Sequence, residues 1–577
     1  MKNYIGMSTS PHEASLAILN GQGDILYAEA TERPLQSKRA WGSVPDHINF
    51  IDKLTEHYCD PDLETVVAMS WTKKHPWRYR LFKPYLKYKI KTAAQGERNR
   101  YQMGMFMTGA HQAVLKNATN GLQGFGKLKG PINKRYYDHH LTHAATAAFG
   151  SQFDNAVCVV IDGFGETGSA AAFHYRNGSL KQIDGVKAAK ASLGFFYAQM
   201  CQIAGFNFMH GEEWKLMGLA AYGTVDQQWY KLIRPLIGVD GLKMVSGKLP
   251  KSHYRMLRDL ARDEQTPPID YANFAATAQH VFTETVHQFL QNIYELKLSD
   301  NLVFGGGCAL NSSANGTILT QTPFNDLYVT SAPADDGNAL GAALLAYRED
   351  NGTQPPRKSV VSPYLGSRVT GESFERLKTF SGITQRELTD QELFSFTATA
   401  LTEGKIVGWI QGKAEFGPRA LGNRSILADP RSPRIKERIN SEVKFREEFR
   451  PFAPSILHEH GDKYFEYYQF SPYMERTLRF KESVKEKVPG VVHEDGTGRL
   501  QSVTRELNER YYQLLTAFYE LTTVPLLLNT SFNVMGKPII HSVEDGVAVF
   551  QTSGLDLLII ENHVFLKNSK EADTWLR

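Results

Sequence analysis

A run of strand, polar loop, strand, tight turn and strand occurs twice in this sequence, and a single wound sheet does not produce it. Residues 4–7 are a short apolar run, 8–13 a polar loop and 14–19 apolar again. Asn20-Gly21-Gln22-Gly23 then signals a turn before a third strand over 25–29. The order returns near the middle of the chain. Residues 156–161 read as a buried strand, Asp162-Gly163-Phe164-Gly165-Glu166-Thr167-Gly168 as a glycine-rich acidic loop, and 170–175 as a second strand. Asn177-Gly178 marks the hairpin before 180–183. Two such hairpins predict a duplicated domain.

A third element carries the same texture. Residues 302–304 run into Gly305-Gly306-Gly307 and then Ala309-Leu310-Asn311, where glycines let backbone N–H groups approach a phosphate at a helix start. Three such loops in a repeated arrangement fit an actin/sugar-kinase-like ATPase fold.

At 577 residues the chain exceeds what one core holds, since single cores stop growing at about 250–300 residues. The connector Asn351-Gly352-Thr353-Gln354-Pro355-Pro356 divides it into 1–355 and 356–577, the second part being an α/β domain with strands over 406–410 and 525–528. A composition 42% hydrophobic and 22% charged excludes a disordered chain, and a net charge of +4 is too small to name a partner. The four cysteines, Cys59, Cys158, Cys201 and Cys308, form no C-x-x-C pair, which argues against a zinc ribbon or a disulfide framework. With neither a signal-like start nor an apolar run of about 18 residues, the expectation is a cytoplasmic protein without membrane contact.

Two constellations carry chemistry. In Tyr137-Asp138-His139-His140-Leu141-Thr142-His143, a helix sets His139 and His143 at i and i+4 on one face, spaced to share a metal ion. Asp162, at a strand end, and Asp335-Asp336 are the carboxylates able to complete a His₂Asp₂ set, which suits iron, manganese or zinc. The plain alternative is two satisfied histidines at a helix start. The second constellation is Gly417-Pro418-Arg419-Ala420-Leu421-Gly422-Asn423-Arg424, where Arg419 and Arg424 sit in a tightly turned loop suited to bidentate phosphate binding, with Lys444, Arg446, Arg450 and Arg499 as further cations. Against it stands a role in bridging domains. A third stretch, 73–100, holds ten Lys or Arg residues with a single acid, Glu97. It reads first as a solvated face or docking surface and only second as a nucleic-acid site.

With these motifs laid out, the chain resembles the O-carbamoyltransferase family of antibiotic-tailoring and nodulation-factor enzymes. The likeness runs through His139-His140-x-x-His143-Ala144-Ala145, Asp162-Gly163-x-Gly165-Glu166, Met217-Gly218-Leu219-Ala220, Gly306-Gly307-x-Ala309-Leu310-Asn311 and Asp335-x-Gly337-x-Ala339-Leu340-Gly341. It continues through the Arg419–Arg424 loop, Arg450-Pro451-Phe452-Ala453-Pro454 and Leu528-Asn529-Thr530-Ser531-Phe532-Asn533.

The resemblance implies a Kae1/TsaD-like first domain, similar to the tRNA threonylcarbamoyl-transfer ATPases, and a YrdC-like second domain. It implies that the second domain makes carbamoyl adenylate from carbamoyl phosphate and ATP with Mg²⁺. The first would pass the carbamoyl group to a small-molecule hydroxyl at a divalent metal, Fe²⁺ by expectation, held by His139, His143, Asp162 and Asp335. His140 is then the candidate for orienting phosphate or assisting deprotonation. Arg419, Arg424, Lys444, Arg446, Arg450, Arg499 and Asn529 meet the phosphates, and Lys38 reaches the same site. Gly163, Glu166, Lys215, Gly306, Gly307 and Asn311 contact nucleotide.

Two departures bear on the acceptor. Glu213-Trp214-Lys215 stands where Glu-Gly-Lys is usual, and His12-Glu13 where His-Asp is commoner. The resemblance also suggests a homodimer and no nucleic acid. Weighed beside it are a fused tRNA threonylcarbamoyl-adenosine synthase and a non-catalytic ATP-binding scaffold; a hydrogenase-maturation enzyme is disfavoured by the missing C-x-x-C pairs.

Overall fold

The computed structural model describes residues 1–72, 87, 95–186, 191–355, 357–369 and 371–567, without the side chains of 95–101 and 103. Apart from residue 87 and the backbone of 95–100, the basic stretch 73–100 lies outside the described residues. Two compact units emerge: Met1–Asp184 with Asn301–Gly307 and Tyr328–Val361, and Gly185–Asp300 with Cys308–Leu327 and Ser362–Arg577. Among the described residues no helix is long and apolar enough to cross a membrane.

The first unit is built on two five-stranded sheets of matching order. One runs Ile25–Ala30, Ser15–Leu19, Asn3–Ser8, Thr65–Met69, Ile132–Tyr136. The other runs Ser179–Gln182, Ala170–Arg176, Asn155–Ile161, Asn301–Gly305, Asp326–Val329, the last strand being cut by the division between the units. In each, an antiparallel meander of three strands is followed by a parallel neighbour, Asn3–Ser8 with Thr65–Met69 and Asn155–Ile161 with Asn301–Gly305. This is the duplication expected from the repeated loops. The central strands are buried apart from the half-buried first residues Asn155 and Asn301, as near-continuous apolar runs such as Asn155–Ile161 require.

The helices His139–Gly150 and Asn338–Asn351 pack closely because Gly341 has no side chain. A Cβ there would enter the Thr142 carbonyl. Gly6 does the same for the strand Asn3–Ser8 beneath Ala339. Small residues thus fix the histidine-bearing helix against its neighbours to within a van der Waals radius.

The second unit combines helices, among them Leu193–Ile203, Glu213–Ala220, Ala272–Tyr294 and Ser312–Gln321, with a nine-stranded mixed sheet. That sheet runs Thr384–Glu387, His563–Leu566, Leu557–Ile560, Val407–Ile410, Arg424–Ala428, Leu526–Ser531, Ala453–Leu457, Thr497–Val503, Arg476–Arg479. Its core is an extensive apolar cluster that includes Trp409, Phe518, Phe532 and Phe550. The expected strands over 406–410 and 525–528 are the observed Val407–Ile410 and Leu526–Ser531.

Candidate functional site

Asp138 starts the histidine helix by accepting the Leu141 N–H at 3.1 Å, which sets His139 at the first helical position and His143 one turn on. Asp162 ends the strand Asn155–Ile161, and Asp335 opens the turn before Asn338–Asn351. The four side chains are buried, and one donor atom of each lies within 4.8 Å of all the others. His139 Nε2 is 3.3 Å from Asp162 Oδ2 and 3.4 Å from Asp335 Oδ1; His143 Nε2 is 3.2 Å from Asp335 Oδ1. His143 Nδ1 faces the Pro333 carbonyl at 3.1 Å, which presents Nε2 to the cluster.

Burial alone would lower the His139 pKa, but Asp335 and Asp162 outweigh it and raise it to about 10. Burial likewise opposes ionisation of Asp162, yet the histidines hold it down at about 2. Two carboxylates and two imidazole rings with converging nitrogens and oxygens form a donor set that, once the imidazolium proton is lost, fits a divalent transition metal.

The glycine loops serve this cluster. Gly306, at φ 86°, turns the chain where a Cβ would meet the Ile161 carbonyl, and the Gly307 N–H donates to Asp162 Oδ1 at 3.2 Å. Gly163 is in the same Asp162–Gly168 loop, while Glu166 accepts the Thr72 N–H at 2.7 Å. His140 packs against Gly165; its Nε2 is buried without a hydrogen-bond partner, and burial together with His139 lowers its pKa to about 4.

In the second unit the two loop arginines part ways. Glu415 Oε1 accepts the backbone N–H groups of Leu421, Asn423 and Arg424 at 2.8, 2.8 and 3.1 Å, pinning the loop. Arg424 begins the strand Arg424–Ala428 and is fully buried, donating to the carbonyls of Gln411, Asn423, Ser367 and Gly412 at 2.7–3.0 Å. The sequence expectation set Arg424 against phosphate; in the structure its guanidinium donates to backbone carbonyls. Lys444 is similarly spent, on Ser531 and on Asn533 Oδ1 at 2.7 Å.

Arg419, by contrast, makes one long bond, to the Leu310 carbonyl at 3.3 Å. Arg446 donates to Asn440 Oδ1 at 2.7 Å and has a buried Nη2 without a partner, and Arg499 has a buried Nε without one. Among the described residues no carboxylate lies within ion-pair distance of these three. Burial pushes Arg419 down to about 10 and, with the charge of Arg450, Arg446 to about 9; burial and then the Arg419 and Arg446 charges drive Arg499 well down. Guanidinium groups rarely release a proton, so such a set is relieved by an anion. Arg450 is held differently, 3.2 Å from Glu447 and with its guanidinium 3.8 Å from the centre of the Trp214 ring. Lys215 bridges Glu212 and Glu447 at 2.8 and 2.9 Å. Asn529 joins Ala420, Ser455 and Gln501, and Asn311 caps the helix Ser312–Gln321 while bonding Gln279.

Two family descriptions cover most of the chain: the carbamoyltransferase N-terminus matches residues 3–344 and the carbamoyltransferase C-terminus residues 398–567. The chain belongs to the carbamoyltransferase family. Nodulation protein NolNO of Sinorhizobium fredii is 34% identical over 485 residues, 82% of this chain and 70% of that protein. Nodulation protein NolO of Bradyrhizobium diazoefficiens is 33% identical over 454 residues, 76% of this chain and 80% of its own. Among solved structures, full-length HypF in its phosphate- and nucleotide-bound form overlaps with a TM-score of 0.36 at 14% identity, covering 61% of this chain and 56% of that one, too distant to bear on the fold.

Within this carbamoyltransferase the structure brings His139, His143, Asp162 and Asp335 together, and separately Arg419, Arg446 and Arg499. Lys38 heads a short turn, Lys38–Ala40, in the first unit and is half-buried. Sequence reasoning did not join three neighbours to the metal-type cluster. His12 Nδ1 lies 4.0 Å from Asp335 Oδ2, the Trp71 ring is 4.3 Å from that of His139, and His111 lies 4.5 Å from Trp71. Only His12 carried a local signal, the His12-Glu13 departure in the first loop; Trp71 and His111 come from remote segments.

Proposed function

We propose that the chain is an ATP-dependent O-carbamoyltransferase working in two half-reactions. A YrdC-like domain, 356–577, performs activation. Water cleaves carbamoyl phosphate to carbamate and phosphate; a carbamate oxygen then attacks the α-phosphorus of ATP, forming carbamoyl adenylate and expelling pyrophosphate. A Kae1-like domain, 1–355, performs transfer: the acceptor hydroxyl oxygen attacks the carbamoyl carbon, AMP leaves, and the hydroxyl proton is released.

The observation that carries this reading is the arginine set Arg419, Arg446 and Arg499, half-buried near one another with no carboxylate at ion-pair distance among the described residues. Such charges are stable where phosphates or pyrophosphate complete them. His139, His143, Asp162 and Asp335 would hold a divalent metal, with iron among the ions an N₂O₂ set suits; bound there, it would supply Lewis-acid polarisation of the adenylate. Pro333 keeps His143 Nε2 turned inward, and the Gly307 N–H steadies Asp162. His140, kept neutral by burial, has a free nitrogen able to take the hydroxyl proton. The acceptor we propose is a hydroxyl of a small-molecule natural product.

The test is pyrophosphate release from purified protein with ATP and Mg²⁺, with and without carbamoyl phosphate. Release that requires carbamoyl phosphate is the expected result. Equal release without it, or none, contradicts the activation step.

A further inference from the structure

Beside the His₂Asp₂ cluster, the first unit carries an aromatic wall that the reaction above leaves without a task. Trp71 tilts over the His139 ring at 33°, with centroids 4.3 Å apart, and donates its indole N–H to Ser10 Oγ at 3.2 Å. His111, from the helix Gln95–Asn117, packs edge-on with Trp71 at 4.5 Å between centroids, and its Nε2 is buried without a hydrogen-bond partner. A second row begins at His12, which is 4.0 Å from Asp335. It continues through Trp41, with centroids 5.0 Å apart, to Phe106 at 5.7 Å. His12 and Trp41 in this row are half-buried and Phe106 is 52% exposed. The row leads from the buried polar cluster to an exposed aromatic ring, apolar along its length and polar at one end, as ligand sites are lined.

The charges nearby narrow what it can receive. Glu13 is neutralised by Arg39 at 3.2 Å, and Glu166 is bonded to Thr72. Neither carboxylate stands ready for a cationic ligand. Flat ring faces with a neutral nitrogen between them instead match a ring that stacks through an apolar face and offers polar groups at its edge.

Resting on the two-step reading, we propose that Trp41, Trp71, Phe106 and His111 form the acceptor subsite, and that the acceptor is an uncharged ring compound bearing its reactive hydroxyl on the ring or next to it. The stack brings the ring along the wall, so the hydroxyl arrives at the His139–Asp335 end. His111 Nε2 meets a polar group at the ring's edge.

Phenyl β-glucoside, which offers both an aromatic and a pyranose face, is the probe, measured by calorimetry on the metal-loaded full chain without ATP. Binding is expected, weakened about tenfold in Phe106→Ala and in Trp41→Ala. Phe106 is exposed, so its variant tests the wall without burdening the fold, and an unchanged melting temperature verifies this. Methyl β-glucoside and benzyl alcohol separate the two sources of a flat face: binding of either one supports the subsite and names the face it uses. No binding of any ring probe overturns the proposal, as does equal binding in both variants, or tighter binding of a polycationic amino sugar. Because this readout needs no activation chemistry, it stands apart from the pyrophosphate assay. Loss of release with ring binding intact removes the two-step reading alone; release with no ring binding removes the subsite alone.

Discussion

Arg419 and Arg424 sit five positions apart in one loop and end in opposite environments. Arg424 opens a strand at the centre of the nine-stranded sheet, so its side chain enters the core and satisfies four carbonyls. Removing it leaves those acceptors buried and empty, at about 1–3 kcal/mol each where no water enters. Arg424→Ala is therefore expected to lose at least ~3 kcal/mol of stability in thermal or denaturant unfolding. Arg419→Ala, which gives up one long bond and an uncompensated charge, is expected to melt near the wild type. Sequence alone shows two arginines in a glycine-turned loop; which one turns inward depends on strand register, set by distant partners in Leu526–Ser531 and Val407–Ile410. Trp214 is a second case. The ring lies over Arg450, a contact worth about 1 kcal/mol that glycine would not make. Trp214→Gly is expected to raise KM for carbamoyl phosphate roughly fivefold with kcat little changed, read from initial rates of pyrophosphate release. An unaltered KM would make the stack incidental.

The element that matters most is the helix His139–Gly150, and here the sequence was informative. An i, i+4 histidine pair behind an aspartate cap predicts both the helix and the shared face, because capping and helical period are local properties. Asp162 and Asp335 were legible as strand-end and turn carboxylates for the same reason. The aromatic wall was not, since Trp41, Trp71 and His111 meet only through tertiary packing. The helix position itself depends on Gly341. Alanine there gains up to ~1 kcal/mol of helix propensity, but its Cβ would enter a backbone carbonyl that cannot swing away. Overpacking of this kind costs about 1–3 kcal/mol, so the net effect is loss. Gly341→Ala is expected to lower the melting temperature and, by moving Thr142 between the two histidines, to reduce bound metal measured by elemental analysis. A variant of normal stability and metal content would show that the crossing is slack.

At the scale of the whole molecule, the chain holds two chemically unlike sites, each assembled within its own compact unit. One gathers buried carboxylates and imidazoles, as a cation demands; the other gathers half-buried guanidiniums, as anions demand. The duplicated sheets were readable from their paired loops and turns, whereas the nine-stranded sheet was not, because its order joins strands from 384 to 566 with no local repeat. The division of labour is most directly tested by single-turnover pyrophosphate release, with ATP and carbamoyl phosphate, from the wild type, His143→Ala and Arg419→Ala. Wild type and His143→Ala should release pyrophosphate at similar rates while Arg419→Ala does not. Release lost in His143→Ala but kept in Arg419→Ala would contradict the account.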